Sequence, residues 1–336
     1  MNRVIVIGAS AGGVEALMEL TSALPKDFPA AVFIVLHVAP YGTSVLPAIL
    51  NRRGALRAMQ PADGQAIKAG EIYIAPPDHH LLVRRGTMRL TRGPAENGHR
   101  PAIDTLFRSA AVSYGRQVIG VVLTGMLDDG TAGLQAIKMR GGLAIAQEPG
   151  SALFSSMPRS AVENVEMDFV VPLAEIAPIL TRLVREAMPG ESEDAVPDSE
   201  EQEVKIAELD KNALESARLG TPSAFSCPDC HGVLWEAQEG KLLRYRCRVG
   251  HAFTPDSLMA AQSQSLEEAL WVALRALEES AAMARRLGER AGGRGHALAG
   301  RRFEEQEQDA LSRAAIIREA LTGGQIVAIP KEETHP

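Results

Sequence analysis

The sequence predicts an α/β protein with a doubly wound, mostly parallel sheet and one β-hairpin insertion, followed by a small zinc-ribbon module and an α-helical hairpin. Three observations carry this prediction. Runs such as Val4-Ile5-Val6-Ile7 and residues 118–123 are apolar throughout, as in strands buried on both faces. Helical stretches separate these runs, so strand and helix alternate. That rhythm stops near residue 189, where the composition changes in kind.

The elements follow in order. Residues 4–7 form the first strand. Gly8-Ala9-Ser10-Ala11-Gly12 turns the chain into a helix over 14–24. Residues 30–38 form a second buried strand, with His37 near its end, and a helix follows near 44–52. A short strand, 71–75, stops at Pro76-Pro77. Residues 80–83 and 87–91 flank Arg85-Gly86 as a hairpin. Residues 101–113 place Ile103, Leu106, Phe107 and Ala110 on one helical face. The strand at 118–123 runs into Thr124-Gly125-Met126-Leu127-Asp128-Asp129-Gly130 and a helix over 132–139. Strands at 143–147 and 169–171 and a helix over 173–187 close the region.

Residues 189–203 carry seven acidic residues and two prolines and offer no apolar face, the pattern of a disordered linker. The expected organisation is a catalytic domain over 1–188, an acidic linker over 189–221, a ribbon over 222–257, a helical hairpin over 258–322 and a tail over 323–336. Leu270, Leu274, Leu277, Ala281 and Ala284 alternate four and three apart in the first long helix. Gly292-Gly293-Arg294-Gly295 breaks it before a second helix over 303–321.

Composition narrows the function. The chain has 336 residues, 46% hydrophobic and 23% charged, and its net charge of −7 gives no support for nucleic-acid binding. No apolar run reaches the roughly 18–20 residues that span a bilayer, so no membrane insertion is expected. The N-terminus shows no signal-peptide pattern. The three cysteines, all between 227 and 247, do not form a secreted disulfide framework, so a cytoplasmic location is expected.

Gly8-Ala9-Ser10-Ala11-Gly12 has the Gly-x-Ser-x-Gly spacing of a nucleophile elbow, in which a strained turn presents a serine above the sheet. A dinucleotide loop needs G-x-G-x-x-G, a phosphate loop needs a lysine, and a glycine-rich turn with an incidental serine is the bland alternative. Sites in open parallel sheets form outside the carboxyl ends of the strands. Ser10, His37 and the pair Asp128 and Asp129 all follow strands. Together they supply nucleophile, base and orienting carboxylate for acyl transfer. The chain order Ser, His, Asp argues against an ordinary lipase or esterase. Asp78, His79 and His80 read as a solvated loop rather than metal ligands.

The segments Ile7–Gly13, Leu36-His37-Val38-Ala39-Pro40, Ile74–His80, His99–Phe107 and Leu123–Gly130, with Ala146-Gln147 and Met157-Pro158-Arg159, resemble successive blocks of the chemotaxis protein-glutamate methylesterase (CheB-type) catalytic domain. The resemblance covers about residues 1–187. It implies hydrolysis of glutamate γ-methyl esters on chemoreceptor helices with release of methanol, and in some members glutamine deamidation. It implies Ser10 as nucleophile, His37 as general base and Asp129, which directly precedes Gly130, as the orienting acid, with no cofactor for catalysis. It points to the Met126 N–H as an oxyanion donor. Ala11 stands where the family commonly has threonine. Arg100 and Asp104 fall in a matching block and are expected to line the substrate groove, with Asp104 at the start of its own helix as the alternative. The implied partners are methylated chemoreceptor cytoplasmic helices, with a methyltransferase or other chemosensory protein as a further candidate. The family's phosphorylation-switched receiver domain is expected to be absent. A catalytically silent scaffold is the rival reading.

Cys227-x-x-Cys230, a gap of 16 residues and Cys247-x-x-x-His251 form a four-ligand set at zinc spacing, which predicts a closed structural Zn2+ site in a ribbon. His231 is the alternative fourth ligand.

Overall fold

A computed structural model describes residues 3–41, 44–186, 198–210, 213, 220–239 and 242–323. The expected tail beyond residue 323 and the first part of the acidic linker lie outside these residues. The chain forms two compact units, Met1–Leu258 and Met259–Pro336.

A seven-stranded sheet organises the first unit. Its strands are β1 (Val4–Ala9), β2 (Ala31–Leu36), β3 (Arg57–Met59), β4 (Glu71–Ile74), β7 (Val118–Val122), β8 (Leu143–Gln147) and β9 (Phe169–Val171). Their order is β3-β4-β2-β1-β7-β8-β9, and every pairing is parallel. Strands β1, β2 and β7 are buried along their whole length, which explains their unbroken apolar sequences. Alternate side chains serve opposite layers. Ile5, Ile7 and Ala9 pack with α1 (Gly13–Ser22), α2 (Leu46–Arg53) and α6 (Leu173–Leu183). Val4 and Val6 face the other layer, with α3 (Ile103–Tyr114), α4 (Thr131–Met139) and α5 (Ser156–Asn164). The sheet is therefore doubly wound, as the sequence predicts.

The hairpin, β5 (His80–Arg84) and β6 (Thr87–Thr91), is a separate two-stranded sheet. Its Leu81, Val83 and Met88 join the α3 layer. Two α3 hydroxyls satisfy the backbone of β5: Ser109 Oγ accepts from the Val83 N–H, and Ser113 donates to the Val83 carbonyl.

The linker expectation needs a correction. Residues Asp198–Ala207 form a helix, α7, whose Val204 and Ile206 are buried. Thr91 donates to the Ala207 carbonyl, and Arg84 pairs with Glu208. The apolar residues that anchor α7 lie beyond the acidic run, at its C-terminal end.

The ribbon is a four-stranded antiparallel sheet of β10 (Thr221–Ser226), β11 (Val233–Glu239), β12 (Leu242–Cys247) and β13 (Ala252–Phe253), in that order. It belongs to the first unit. Helix α8 (Pro255–Gly292) leaves it. Thr254 caps that helix: its side chain accepts from the Ser257 N–H at 3.2 Å and its N–H donates to Ser257 Oγ at 2.9 Å, a reciprocal capping pair. The second unit pairs the α8 residues from Met259 onward with α9 (Ala297–Thr322), joined by an Arg318–Glu278 ion pair. Among the described residues no helix is long and apolar enough to cross a membrane.

Candidate active site

Strand β1 pairs with β2 on one side and β7 on the other, so the topology reverses beside it. The carboxyl ends of these three strands border the crevice where such sheets bind ligands. Their backbone ladder continues past the strand ends. The Ser10 N–H donates to the Thr124 carbonyl at 3.0 Å, and the His37 N–H donates to the Ala9 carbonyl at 3.1 Å. Ser10 and His37 are thereby each tied by their backbone to a neighbouring strand end.

The side chains meet. His37 Nδ1 lies 3.2 Å from Ser10 Oγ, and His37 Nε2 lies 2.7 Å from Asp129 Oδ2. With the ring proton on Nε2, facing the carboxylate, the Nδ1 lone pair faces the serine. Ser10 is not among the residues with positive φ. The left-handed residue is Gly12, at φ 72°. The expected backbone strain at the serine is absent, and the glycine takes the turn.

Asp129 is buried and accepts three further bonds, from the N–H groups of Ile103 (2.7 Å) and Asp104 (3.1 Å) and from Asn97 Nδ2 (3.0 Å). The two backbone donors are the free first-turn amides of α3. Burial pushes Asp129 up, but the hydrogen bond and charge of His37, helped by His99 and Ile103, outweigh it and hold the carboxyl at about 2. His99 stacks on His37 with ring centres 3.6 Å apart. Burial, then the nearby His37, pulls His99 down to about 4, so its ring is neutral at physiological pH.

The sequence model described as CheB methylesterase matches residues 5–180, just over half the chain. This chain belongs to the CheB methylesterase family. It is 39% identical over 193 residues to a protein-glutamate methylesterase/protein-glutamine glutaminase of Methanosarcina mazei, covering 55% of this chain and 53% of that one. It is 39% identical over 180 residues to a putative protein of the same description from Leptospira interrogans, covering 53% of this chain and 93% of that one. A 43% identical relative in Anaeromyxobacter dehalogenans is spanned over 51% of its length. The chain thus spans about half the length of two of these three relatives. The crystal structure of the Thermotoga maritima CheB methylesterase catalytic domain matches 55% of this chain and 99% of its own, at 35% identity and a TM-score of 0.53.

Other residues singled out in the sequence have different places. Asp104 is fully buried. It is the acidic residue of the first turn of α3, whose N-cap is Ala102. It accepts the Gly130 and Gly133 N–H groups, at 3.0 and 2.7 Å, and so caps α4. Burial and the charge of Asp129 push it to about 7 against the pull of Arg244. The Arg100 guanidinium is engaged by Asp78 and by the Gly93 carbonyl. Ala11 and Met126 border Ser10, and their N–H groups make no backbone hydrogen bond to a described residue. His80 is not solvated: it is fully buried and donates to the Pro94 carbonyl at 3.0 Å.

Asn97 and His99 are site residues that the pattern reading passes over. They sit in an aperiodic loop, and their roles arise only from tertiary contact. Around the crevice, Tyr41, Val45, Met126 and Leu153 are exposed apolar side chains. A hollow is lined by Val14, Leu36, Val38, Tyr41, Leu46 and Ile49.

The CheB match ends before the ribbon. There, one ligand atom from each of Cys227, Cys230, Cys247 and His251 lies within 4.8 Å of all the others. Cys230 and Cys247 sulfurs are 3.6 Å apart, and His251 Nδ1 is 3.6 and 3.5 Å from Cys227 and Cys247. A tetrahedral ion with S and N ligands has edges of about 3.5–3.8 Å, so the donor set fits. His231, with φ 60°, lies outside the cluster.

Proposed function

We propose that this chain is a protein-glutamate methylesterase acting on γ-methyl esters of chemoreceptor cytoplasmic helices, with glutamine deamidation as a second activity. The observation that carries the reading is the hydrogen-bonded series Ser10, His37, Asp129 at adjoining strand ends. Ser10 Oγ attacks the ester carbonyl as His37 Nδ1 takes its proton. Asp129 holds the ring and stabilises the imidazolium. The Ala11 and Met126 N–H groups receive the developing oxyanion. Collapse breaks the C–O bond, and His37 returns the proton to the leaving methoxide, so methanol departs and Ser10 is acylated. Water, deprotonated by His37, then attacks the acyl carbon; the bond to Ser10 Oγ breaks, His37 returns the proton to that oxygen, and the glutamate is freed. For glutamine the leaving group is ammonia. No step needs a cofactor.

The exposed apolar residues around the crevice suit a receptor helix that lays one face against it. The names of the relatives support the substrate class and the glutaminase activity. We further assign Cys227, Cys230, Cys247 and His251 to a structural Zn2+ that holds the ribbon folded. All four ligands come from protein, which leaves no open position for chemistry. A cytoplasmic location follows from the substrate class, since the receptor segments lie there.

The test is methanol release from a methylated receptor cytoplasmic fragment. The full chain should turn over, and Ser10→Ala should lose at least about 10³-fold with the fold retained. Equal rates would sink the mechanism. No release, with no labelling of Ser10 by a fluorophosphonate, would favour the scaffold.

A further inference from the structure

The ribbon lies outside the family match, yet it reaches the layer directly behind the active site. Strand β13 runs alongside the loop that bears Asn97 and His99. The Asn97 N–H donates to the Ala252 carbonyl at 2.7 Å, and the Ala252 N–H donates to the Ala95 carbonyl at 3.4 Å. The Asn97 side chain is oriented from both sides. Its oxygen accepts from the Thr254 N–H and the Ser257 hydroxyl, both at 3.2 Å. That choice turns its amide hydrogens toward Asp104 Oδ2 and Asp129 Oδ1, each at 3.0 Å. An asparagine amide has two donors and one acceptor oxygen, and here each has a partner. The Thr254 hydroxyl donates to Asp128 at 2.9 Å. Arg244 of β12 is buried between Glu96 and Asp104. Arg108 supplies the second cation against Glu96.

We propose that the ribbon is a working part of the active site, with Arg244, Thr254 and Ser257 as positioning residues that fix Asn97 and, through it, Asp129. Three carboxylates, Glu96, Asp104 and Asp129, converge in a buried space, and buried charges persist only when paired. Arg108 faces Glu96 and His37 faces Asp129, while the ion pair of Asp104 is with Arg244. Arg244 comes from beyond the catalytic fold to balance that carboxylate. Arg244 and Thr254 flank the second ligand pair, three residues before Cys247 and three after His251. Ribbon geometry and triad geometry are therefore linked through a chain of direct hydrogen bonds.

This inference rests on the esterase reading, and the experiment separates the two. The full chain and its variants are compared by methanol release and by the rate of Ser10 labelling with a fluorophosphonate, which needs no receptor. Arg244→Gln is expected to lower kcat and the labelling rate by about 10- to 100-fold, the scale of a small misplacement of reacting groups. KM should stay within about threefold, because Arg244 touches no substrate. Arg244→Lys should restore part of the loss. In an Asp104→Asn background, which removes the charge that Arg244 balances, Arg244→Gln should cost less than it does alone. An unchanged labelling rate, or strictly additive losses, would overturn the proposal. If Arg244→Gln fails to fold, Thr254→Val with Ser257→Ala carries the same test: a labelling rate at least about threefold slower supports it, and a parental rate overturns it. If the parent labels but releases no methanol, the substrate assignment fails and the labelling rates still decide this point. If the parent does neither, both readings fall.

Discussion

The two polar constellations of this chain are built on opposite plans. Ser10 and His37 are 27 residues apart, and His37 and Asp129 are 92 apart. A buried parallel sheet brings them together, and the sheet does not need them. The ribbon ligands lie between residues 227 and 251, joined by a short hairpin of modest core. On the proposed zinc assignment, that hairpin depends on its ligands. The difference teaches where a perturbation should appear. A change at the first site should cost rate with the fold intact; a change at the second should cost local structure, and rate only through the contacts of Arg244, Thr254 and Ser257.

The largest expected effect tests the first half of that contrast. Asp129→Asn should lower kcat by about three to four orders of magnitude, because an amide cannot hold the required histidine tautomer. Circular dichroism should show an intact sheet. A loss below tenfold would remove Asp129 from its role. Next, Cys247→Ser or a strong chelator should release zinc and abolish hydrogen-exchange protection in β11 and β12, while β1, β2 and β7 stay protected. Protection lost together in both regions would show that they fold as one unit and would break the contrast.

A smaller effect sharpens it. Asp104 has an ordinary value of 3.8 and about 7 in the folded chain, raised first by burial and then by Asp129. Its contribution to stability is complete below its ordinary value and is lost as pH rises through about 7. Asp104→Asn lacks this titration. The melting temperature of the variant minus that of the parent should therefore increase from pH 4 to pH 8. A flat difference would mean that Arg244 fully offsets the buried charge. The smallest effect concerns His99. Replacing it with alanine should slow turnover about 3- to 10-fold, by loosening the ring that stacks on His37. Measured kcat within twofold of the parent would make His99 a bystander.

The doubly wound sheet was legible because β1, β2 and β7 are apolar on both faces, and Ser10, His37 and the Asp128–Asp129 pair each follow such a run. The ligand set was legible from spacing alone. Other parts left no local trace. Strand β3 is three residues long with Arg57 exposed, and α5 is polar and carries Pro158. His80 was masked by its polar neighbours, although it begins β5 and points inward. Asn97 and His99 acquire meaning only when β13 pairs with their loop. Thr254-Pro255-Asp256-Ser257 was a readable helix start, but the apolar repeat that marks α8 begins later, at Leu258, and drew the boundary there.

The crowding of donors around Asp129 has a consequence for the energetics of turnover. Four hydrogen bonds converge on one carboxylate, from His37, Ile103, Asp104 and Asn97. When His37 becomes an imidazolium, water would have to reorient to solvate the new charge, and that reorganisation is a large part of the barrier in solution. Here the compensating dipoles are already aligned and cannot relax elsewhere. Their alignment is set by the fold, so in the proposed mechanism each cycle would begin with a field that already favours the charged ring.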